Sequence, residues 1–449
     1  MLSFDIIKEI FHNLKFKYQI QFIQINKFIN NNLHITDFRN IKLKYHEKIN
    51  NEILLDHKYI EKLIISNKNI TNIRHLINLK VLSCSSQSKI ENDLQFLTKL
   101  KYLDCSNNNN ILDIHIKNLN LITLKDNGII KNINHITSLK KLYCHHYSII
   151  SDENIKNLDL QVLFMSSNKY ITNISHMTNL KKLDCRRTLI NDENIKNLNL
   201  NKLNCNFNSK IKNISHMTNL KKLNCVSTNI SDEDIKDLNL VALSIALCTT
   251  IRKIDHFTNL KQLKCHKEIN DDDIKKLNLT KLDCSYNSKI KNISHLTNLK
   301  ILKCHDSSIT DNDIKNLDLI KLYAFSNPKI KNISHMTNLE KLDCGGVCGI
   351  SDEDIKNLNL KILSAYLNSK IKNINHMTKL ESLDCSYNNS IADENIRSLN
   401  LRQLTIYYNN KIKNISHMDK LRYLSFGGNC IINKNDIAGM NLIHLNVYN

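Results

Sequence analysis

The residues that could do chemistry come round on a schedule. Ser175-His176-Met177-Thr178-Asn179-Leu180 is repeated letter for letter at 215–220 and 334–339, and relatives begin at 134, 255, 294, 375 and 416. A histidine about every forty residues invites a metal-ligand reading. Zinc, however, needs ligand nitrogens about 2.0–2.1 Å from one ion. On stacked repeats, histidines two repeats apart lie ~10 Å from each other, so no two can share an ion. The residue before each histidine is Asn134, Ser175, Ser215, Asp255, Ser294, Ser334, Asn375 or Ser416. All are favoured helix N-caps. The spacing therefore predicts each histidine at the first position of a short outer turn, with the preceding side chain as its cap. On this reading His216 is replaceable and Ser215 is not.

Fourteen cysteines raise disulfide, metal and nucleophile chemistry. Eleven of them (Cys84, Cys105, Cys144, Cys185, Cys205, Cys225, Cys265, Cys284, Cys304, Cys344, Cys385) fall at one recurring place, two residues after a leucine. A buried Cys there behaves as a small hydrophobe, and parallel Cβ vectors on neighbouring strands give poor disulfide geometry. The thiols are not clustered as in secreted modules or zinc sites, which points to a reducing, cytoplasmic compartment. The acidic pairs of "SDEN" and "SDED" read as solvated helix starts, capped by Ser151, Asn191, Ser231, Thr310 and Ser351. The sequence has no Gly-rich phosphate loop, no H-E-x-x-H and no nucleophile elbow. No catalytic set, metal or cofactor is expected: the chain reads as a binding protein.

What must position these residues is the rhythm itself. The pattern L-x-x-L-x-C/L-x-x-N-x-x-I-x-x-I reads as Leu200, Leu203, Cys205, Asn208, Ile211, Ile214, and again as Leu279, Leu282, Cys284, Asn287, Ile290, Ile293. Its first residue falls at 60, 79, 100, 121, 139, 160, 180, 200, 220, 240, 260, 279, 299, 319, 339, 360, 380, 401, 421 and 442. The x-L-x-C-x piece alternates apolar and polar, the period of a strand. One unit cannot bury its apolar side alone, but stacked units form a parallel sheet with Leu, Ile and Cys inside. The Asn after the strand suits a turn whose backbone needs side-chain partners. Over roughly 390 residues the pattern resembles the leucine-rich repeat family. The expected fold is an α/β repeat solenoid, a horseshoe of about twenty units with its parallel sheet on the concave face. Two kinds of unit alternate. "ISDENIKNL" resembles the cysteine-containing repeats of F-box proteins, and "KIKNISHMTNL" the shorter repeats of phosphatase regulators and bacterial internalins.

Composition sets broad limits. The formal charge is +20, the apolar fraction 41%, and Pro (one) and Gly (seven) are scarce. Without a lysine block or basic tail, the charge reads as a solvated surface, which disfavours nucleic acid. No apolar run approaches the ~20 residues of a membrane span.

Residues 1–50 lack the rhythm. Leu2, Ile6, Ile7, Ile10, Phe11 and Leu14 form one helical stripe. With Asp5 and Asn26-Lys27-Phe28 they resemble an F-box, although Ser3 stands where that family usually has Pro. The resemblance implies docking of that stripe on a Skp1-like adaptor. It divides the chain into a helical module at 1–50 and a repeat solenoid at 51–449. An alternative is a helical cap over the first repeat. Domain order and A+T-biased composition resemble the F-box/repeat families of giant amoeba-infecting viruses. That resemblance implies a substrate receptor of a Skp1–cullin ubiquitin ligase, and the alternative is a plain interaction scaffold. The concave positions flanking Leu and Cys are where a target would sit. Tyr143, Arg186, Arg187, Tyr323, Phe325, Tyr366, Tyr387 and Tyr407 are the candidate contacts, since exposed Tyr and Arg are typical binding anchors. "CGGVCGI" at 344–350 and "FGGN" at 426–429 break the rhythm. Their glycines fit either a bulge or close approach of a ligand backbone.

Overall fold

A computed structural model describes residues 51–55, 59–65, 70–85, 88–432, 437 and 439–448. The stripe of Leu2, Ile6, Ile7, Ile10, Phe11 and Leu14 lies outside the described residues. The chain forms two compact units, one up to Leu220 and one from Lys221 onward. Among the described residues no helix is long and apolar enough to cross a membrane.

The first unit carries strands β1 (Lys62–Ile65), β2 (Val81–Ser85), β3 (Tyr102–Asn107), β4 (Thr123–Lys125), β5 (Lys141–Tyr143), β6 (Val162–Phe164), β7 (Lys182–Asp184) and β8 (Lys202–Asn204). The second carries β9 (Lys222–Asn224), β10 (Ala242–Ser244), β11 (Gln262–Lys264), β12 (Lys281–Asp283), β13 (Ile301–Lys303), β14 (Lys321–Tyr323), β15 (Lys341–Asp343), β16 (Ile362–Ser364), β17 (Ser382–Asp384), β18 (Gln403–Tyr407), β19 (Tyr423–Gly427) and β20 (His444–Tyr448). Within each unit every strand pairs in parallel with the next in sequence, leucine opposite leucine. Each unit is thus a leucine-rich-repeat solenoid. A parallel pair needs a crossover, and here a loop of Ile and Leu supplies it while burying its apolar side under the sheet. Leu63, Cys205, Ile211, Met217 and their counterparts are all but fully buried.

Three polar devices hold the repeats in register. The first is an asparagine ladder. Asn327 is fully buried; its Nδ2 donates to Cys304 O, Ser307 Oγ and Ile309 O of the repeat before (3.3, 3.4 and 3.1 Å). Its Oδ1 accepts the Lys329 N–H at 3.1 Å. Asn208 does the same in the first unit. Cys248 takes this position in its own repeat and faces Thr228 O and Ile230 O, each at 3.7 Å. The second is the cysteine ladder. Cys105, Cys284 and Cys304 donate to carbonyls of the following repeat at 3.2, 3.5 and 3.5 Å. Burial pushes the Cys84 and Cys265 thiols up to about 12, and Cys185, Cys284, Cys344 and Cys385 well above their ordinary value.

The third device explains the forty-residue alternation, and it corrects the reading of the histidines. "SDEN" segments form four-residue helices such as Asp192–Ile195 and Asp311–Ile314, whereas "SHMTNL" segments are turns. His216 Nε2 lies 3.1 Å from Ile195 O, the last residue of the preceding repeat's helix. His176, His295, His335, His376 and His417 bond their preceding helix in the same way. A carbonyl only accepts, so Nε2 carries the proton. In the opposite direction Asp192 Oδ1 accepts the Lys212 and Asn213 N–H groups (2.8 and 3.1 Å), and Asp311 those of Lys331 and Asn332 (2.7 and 2.9 Å). The histidine therefore joins two repeats rather than only starting a turn, and the first acidic residue is more than a solvated cap. The serine before the histidine is not an accepting cap either. Ser215 Oγ donates to Asn213 Oδ1 at 2.9 Å, so the asparagine two residues earlier makes the turn. Ser231 does sit at a helix N-cap, but its Oγ and N–H both donate to Asp234 Oδ2 (2.5 and 2.8 Å). Thr310 does the same toward Asp313. Asn191 accepts, taking the Asn194 N–H at 3.2 Å.

Candidate functional site

Between Leu and Cys, each strand turns side chains to the open face of the sheet. The strand's third residue forms one row and the residue two further on forms a second. A third row follows immediately, and its backbone is unusual. Ser167, Arg187 and Phe207 in the first unit have φ of 59°, 52° and 57°; Leu247, Tyr286, Leu367, Tyr387 and Tyr408 in the second have 63°, 62°, 61°, 56° and 52°. Left-handed backbone at non-Gly residues costs of order 1 kcal/mol each. It aims these side chains outward, and Leu247 and Tyr286 are 69% and 70% exposed.

In the first unit the face is charged and internally paired. Arg186 Nε contacts Asp184 Oδ1 at 2.9 Å, and Asn204 Nδ2 donates to Asp184 Oδ2 at 3.2 Å. Arg187 lies over the Phe207 ring at 4.7 Å. Tyr143 packs edge-on against Phe164 at 4.9 Å. Lys125 Nζ meets Asp104 Oδ2 at 2.8 Å. Burial works against ionisation of Asp104, but hydrogen bonds from Lys125 and Ser106 hold its carboxyl below the ordinary range. Burial likewise holds the His145 imidazole low.

In the second unit the face is aromatic. Ring centroids run from His305 to Phe325 (6.2 Å), Phe325 to Tyr366 (6.2 Å), Tyr366 to Tyr387 (5.5 Å) and Tyr387 to Tyr408 (4.6 Å). Tyr323 joins through His305 at 6.2 Å and lies under the Lys303 and Lys341 amines at 4.9 and 5.1 Å. Four candidate contacts, Tyr323, Phe325, Tyr366 and Tyr387, thus meet in one cluster. Tyr407 stands apart, packed on Tyr448 at 5.3 Å. The two glycine breaks make room for this cluster. A Cβ on Gly345 would lie 2.9 Å from the Phe325 ring, and one on Gly428 2.6 Å from that of Tyr408. The space beside these glycines is filled by the protein's own rings.

Leu247 and Ser285 had not stood out as site residues. They line a cavity of about 540 Å³ with Lys264, His266, Lys303 and His305. Its sequence signal is the repeat beginning at 260, which has 19 residues before the next begins at 279.

No family model matches the sequence, and no curated protein matches it. Solved structures similar to it include the functional domain of InlJ from Listeria monocytogenes, described as including a cysteine ladder (20% identity, 64% of this chain and 69% of that one, TM-score 0.36). A leucine-rich repeat protein of Leptospira interrogans is 21% identical over 90% of this chain and 93% of its own, with a TM-score of 0.33. The yeast Rad7–Elc1 complex gives 16% identity over 76% of this chain and 98% of that one, with a TM-score of 0.44. These likenesses concern the fold alone.

Proposed function

We propose that the chain is a non-enzymatic interaction scaffold that holds a protein partner on the sheet face of its second unit. The observation that carries this reading is the run of rings from His305 to Tyr408, which pack on one another along the open face. Tyr387 and Tyr408 remain 42% and 43% exposed. Aromatic side chains offer large contact area at low entropic cost. Replacing Tyr366 and Tyr387 together by Ala is expected to abolish co-purification of protein partners from a cell extract and leave the melting temperature within a few degrees. Unchanged partner recovery defeats the reading.

The finer reading, a receptor for a Skp1-like adaptor, is supported by Leu2, Asp5, Ile6, Ile7, Ile10, Phe11 and Leu14 in the sequence. It expects purified Skp1 to bind the full chain and to be lost with Ile6→Asp and Ile10→Asp. A wild-type chain that leaves Skp1 unbound reduces the proposal to the scaffold. Nucleic acid, the remaining reading for a +20 chain, requires affinity that falls steeply with salt.

A further inference from the structure

The repeat at 260–278 is one residue short, and the shortage sits in the loop after β11. Four residues lie between Cys225 and Ile230 and between Cys304 and Ile309, but three between Cys265 and Ile269. The left-handed position found at Leu247 and Tyr286 is missing from this loop. His266 turns inward instead and is 5% exposed. Its Nε2 donates to Ile251 O at 2.8 Å, and its Nδ1 accepts the Glu268 N–H at 3.1 Å. With one nitrogen donating and the other accepting, the ring is a neutral plug under the loop. What the missing residue leaves is the cavity of about 540 Å³, within the size range of ligand pockets.

Its walls are the outward side chains of Leu247 and Tyr286. Its rim carries three amines, Lys264, Lys267 and Lys303, against one carboxylate, Asp283. Asp283 is 3.7 Å from Lys264, and among the described residues no carboxylate is paired with Lys267 or Lys303. Two polar atoms at the cavity, Ser285 Oγ and His305 Nδ1, are buried without a hydrogen-bond partner. A buried polar group left unpaired costs stability that a bound partner returns. Excess cations, idle hydrogen-bonding groups and apolar walls together select an anionic group carried beside an apolar one.

We propose that this notch seats an acidic side chain of a partner polypeptide, with an adjoining apolar residue between Leu247 and Tyr286. The inference rests on the reading of the face as a protein-binding surface. Lys303 and His305 belong to both places: they line the notch and begin the aromatic run. One extended segment can therefore use both. Four strand spacings separate Ser285 on the β12 repeat from Tyr366 on the β16 repeat, ~19 Å, which an extended chain spans in about six residues. The expected ligand carries Asp or Glu about six residues from an aromatic or aliphatic anchor.

A displayed library of random twelve-residue peptides, selected on the full chain, tests this. The expected winners have that acid-to-apolar spacing. Lys264→Glu with Lys303→Glu should weaken a winner by about tenfold or more, at an unchanged melting temperature. Changing the peptide's acid to Lys should restore binding to that variant. Leu247→Gly keeps the left-handed backbone while removing a wall, so binding should fall while stability holds. Winners without acids, no winners at all, or binding indifferent to the lysine reversals would overturn the notch. If Tyr366→Ala with Tyr387→Ala then still abolishes binding, the face reading survives without the notch; if that too changes nothing, both fail. Displacement of the peptide by a single-stranded oligonucleotide at equal charge would assign the lysines to phosphate and also overturn the proposal.

Discussion

The two units share a frame and differ in what they hang on it. In both, leucines align across the sheet, buried asparagines tie repeat to repeat, and Asp and His reach between neighbours. On the open face the first unit answers its own charges: Asp184 engages Arg186 and Asn204, and Lys125 engages Asp104. The second leaves a row of rings, Lys267 and Lys303 without a carboxylate partner, and Ser285 Oγ and His305 Nδ1 buried without a hydrogen-bond partner, among the described residues. A self-satisfied polar surface has little to gain from a partner, because each contact must first break one already made. The difference teaches that binding capacity here is set by the few residues per repeat that the frame does not need. Perturbing the frame should therefore hurt both units alike, while perturbing the face should separate them.

The largest expected effect strikes the shared frame through pH. Burial raises the ladder thiols in both units: Cys105, Cys144 and Cys185 in the first, Cys265, Cys284, Cys344 and Cys385 in the second. A thiol raised by folding holds its proton more tightly in the native state than in the unfolded one. Its contribution is intact below the ordinary value of 9.0 and drains as pH climbs toward the folded value, about 12 for Cys265. Every ladder thiol drains in the same direction, so the losses of three thiols in the first unit and four in the second add within each unit, against a stability that is marginal to begin with. Circular dichroism between pH 8 and pH 11 should show cooperative loss of both units, with thiols shielded from iodoacetamide before the transition and open after it. Loss of one unit alone would mean that the two ladders are not equivalent.

Next come the asparagines. Asn208→Ala in the first unit and Asn327→Ala in the second each remove the side-chain donor to a buried carbonyl, Ile190 O or Ile309 O, and the acceptor of a backbone N–H, Lys210 or Lys329. Each is expected to cost about 3 kcal/mol by urea denaturation. Similar costs support a common frame. A negligible cost at Asn327 would show that the second unit is held chiefly by its face.

How far the sequence carries this comparison depends on the distance over which each feature is encoded. Strands, inward cysteines and ladder asparagines repeat within one unit, so their places follow from the rhythm. The strand at Lys202–Asn204 starts two residues after Leu200, as the pattern requires. His216 was misread because its partner lies in another segment, Ile195 a full repeat earlier, whereas Ser215 was misread because Asn213, two residues before it, takes over the turn. Left-handed positions occupied by Leu367 or Tyr387 carry no glycine signal, since the loop's bonds to the next repeat hold them. Tyr387 N–H, for instance, donates to Tyr407 O at 2.7 Å. The notch was written as a missing residue, visible only against the period of its neighbours.

The cross-repeat staples give a smaller and more local test. Asp192→Ala in the first unit and Asp311→Ala in the second each strand two backbone N–H groups, for about 1–2 kcal/mol; His216→Ala and His335→Ala each remove one of two donors to a carbonyl that still accepts the Leu198 or Leu317 N–H, for about 0.5–1 kcal/mol. Aspartate and histidine join the same two repeats from opposite ends. The double variants Asp192→Ala/His216→Ala and Asp311→Ala/His335→Ala should therefore cost less than the sums, by about 0.5 kcal/mol or more. Strict additivity in both units would mean that each staple acts alone and that the alternation has another cause.

The smallest effect is the most discriminating, because its sign should differ along one row. Ser167 and Ser326 hold φ of 59° and 52°, and neither has a ring of its own to stack. Glycine there removes a strain of about 1 kcal/mol but loosens the unfolded chain, so the net gain should be about 0.5 kcal/mol. Ser167→Gly and Ser326→Gly should thus raise the melting temperature slightly in both units. Tyr387, at φ 56°, also stacks on Tyr408 at 4.6 Å, a contact worth about 0.5–1.5 kcal/mol. Tyr387→Gly gains relief and loses the stack, so its stability should stay level or fall a little, while partner binding drops. If Tyr387→Gly proved as stabilising as Ser326→Gly and left binding intact, the ring row would be ornament on a strained loop. The second unit's face would then be no better suited to a partner than the first's.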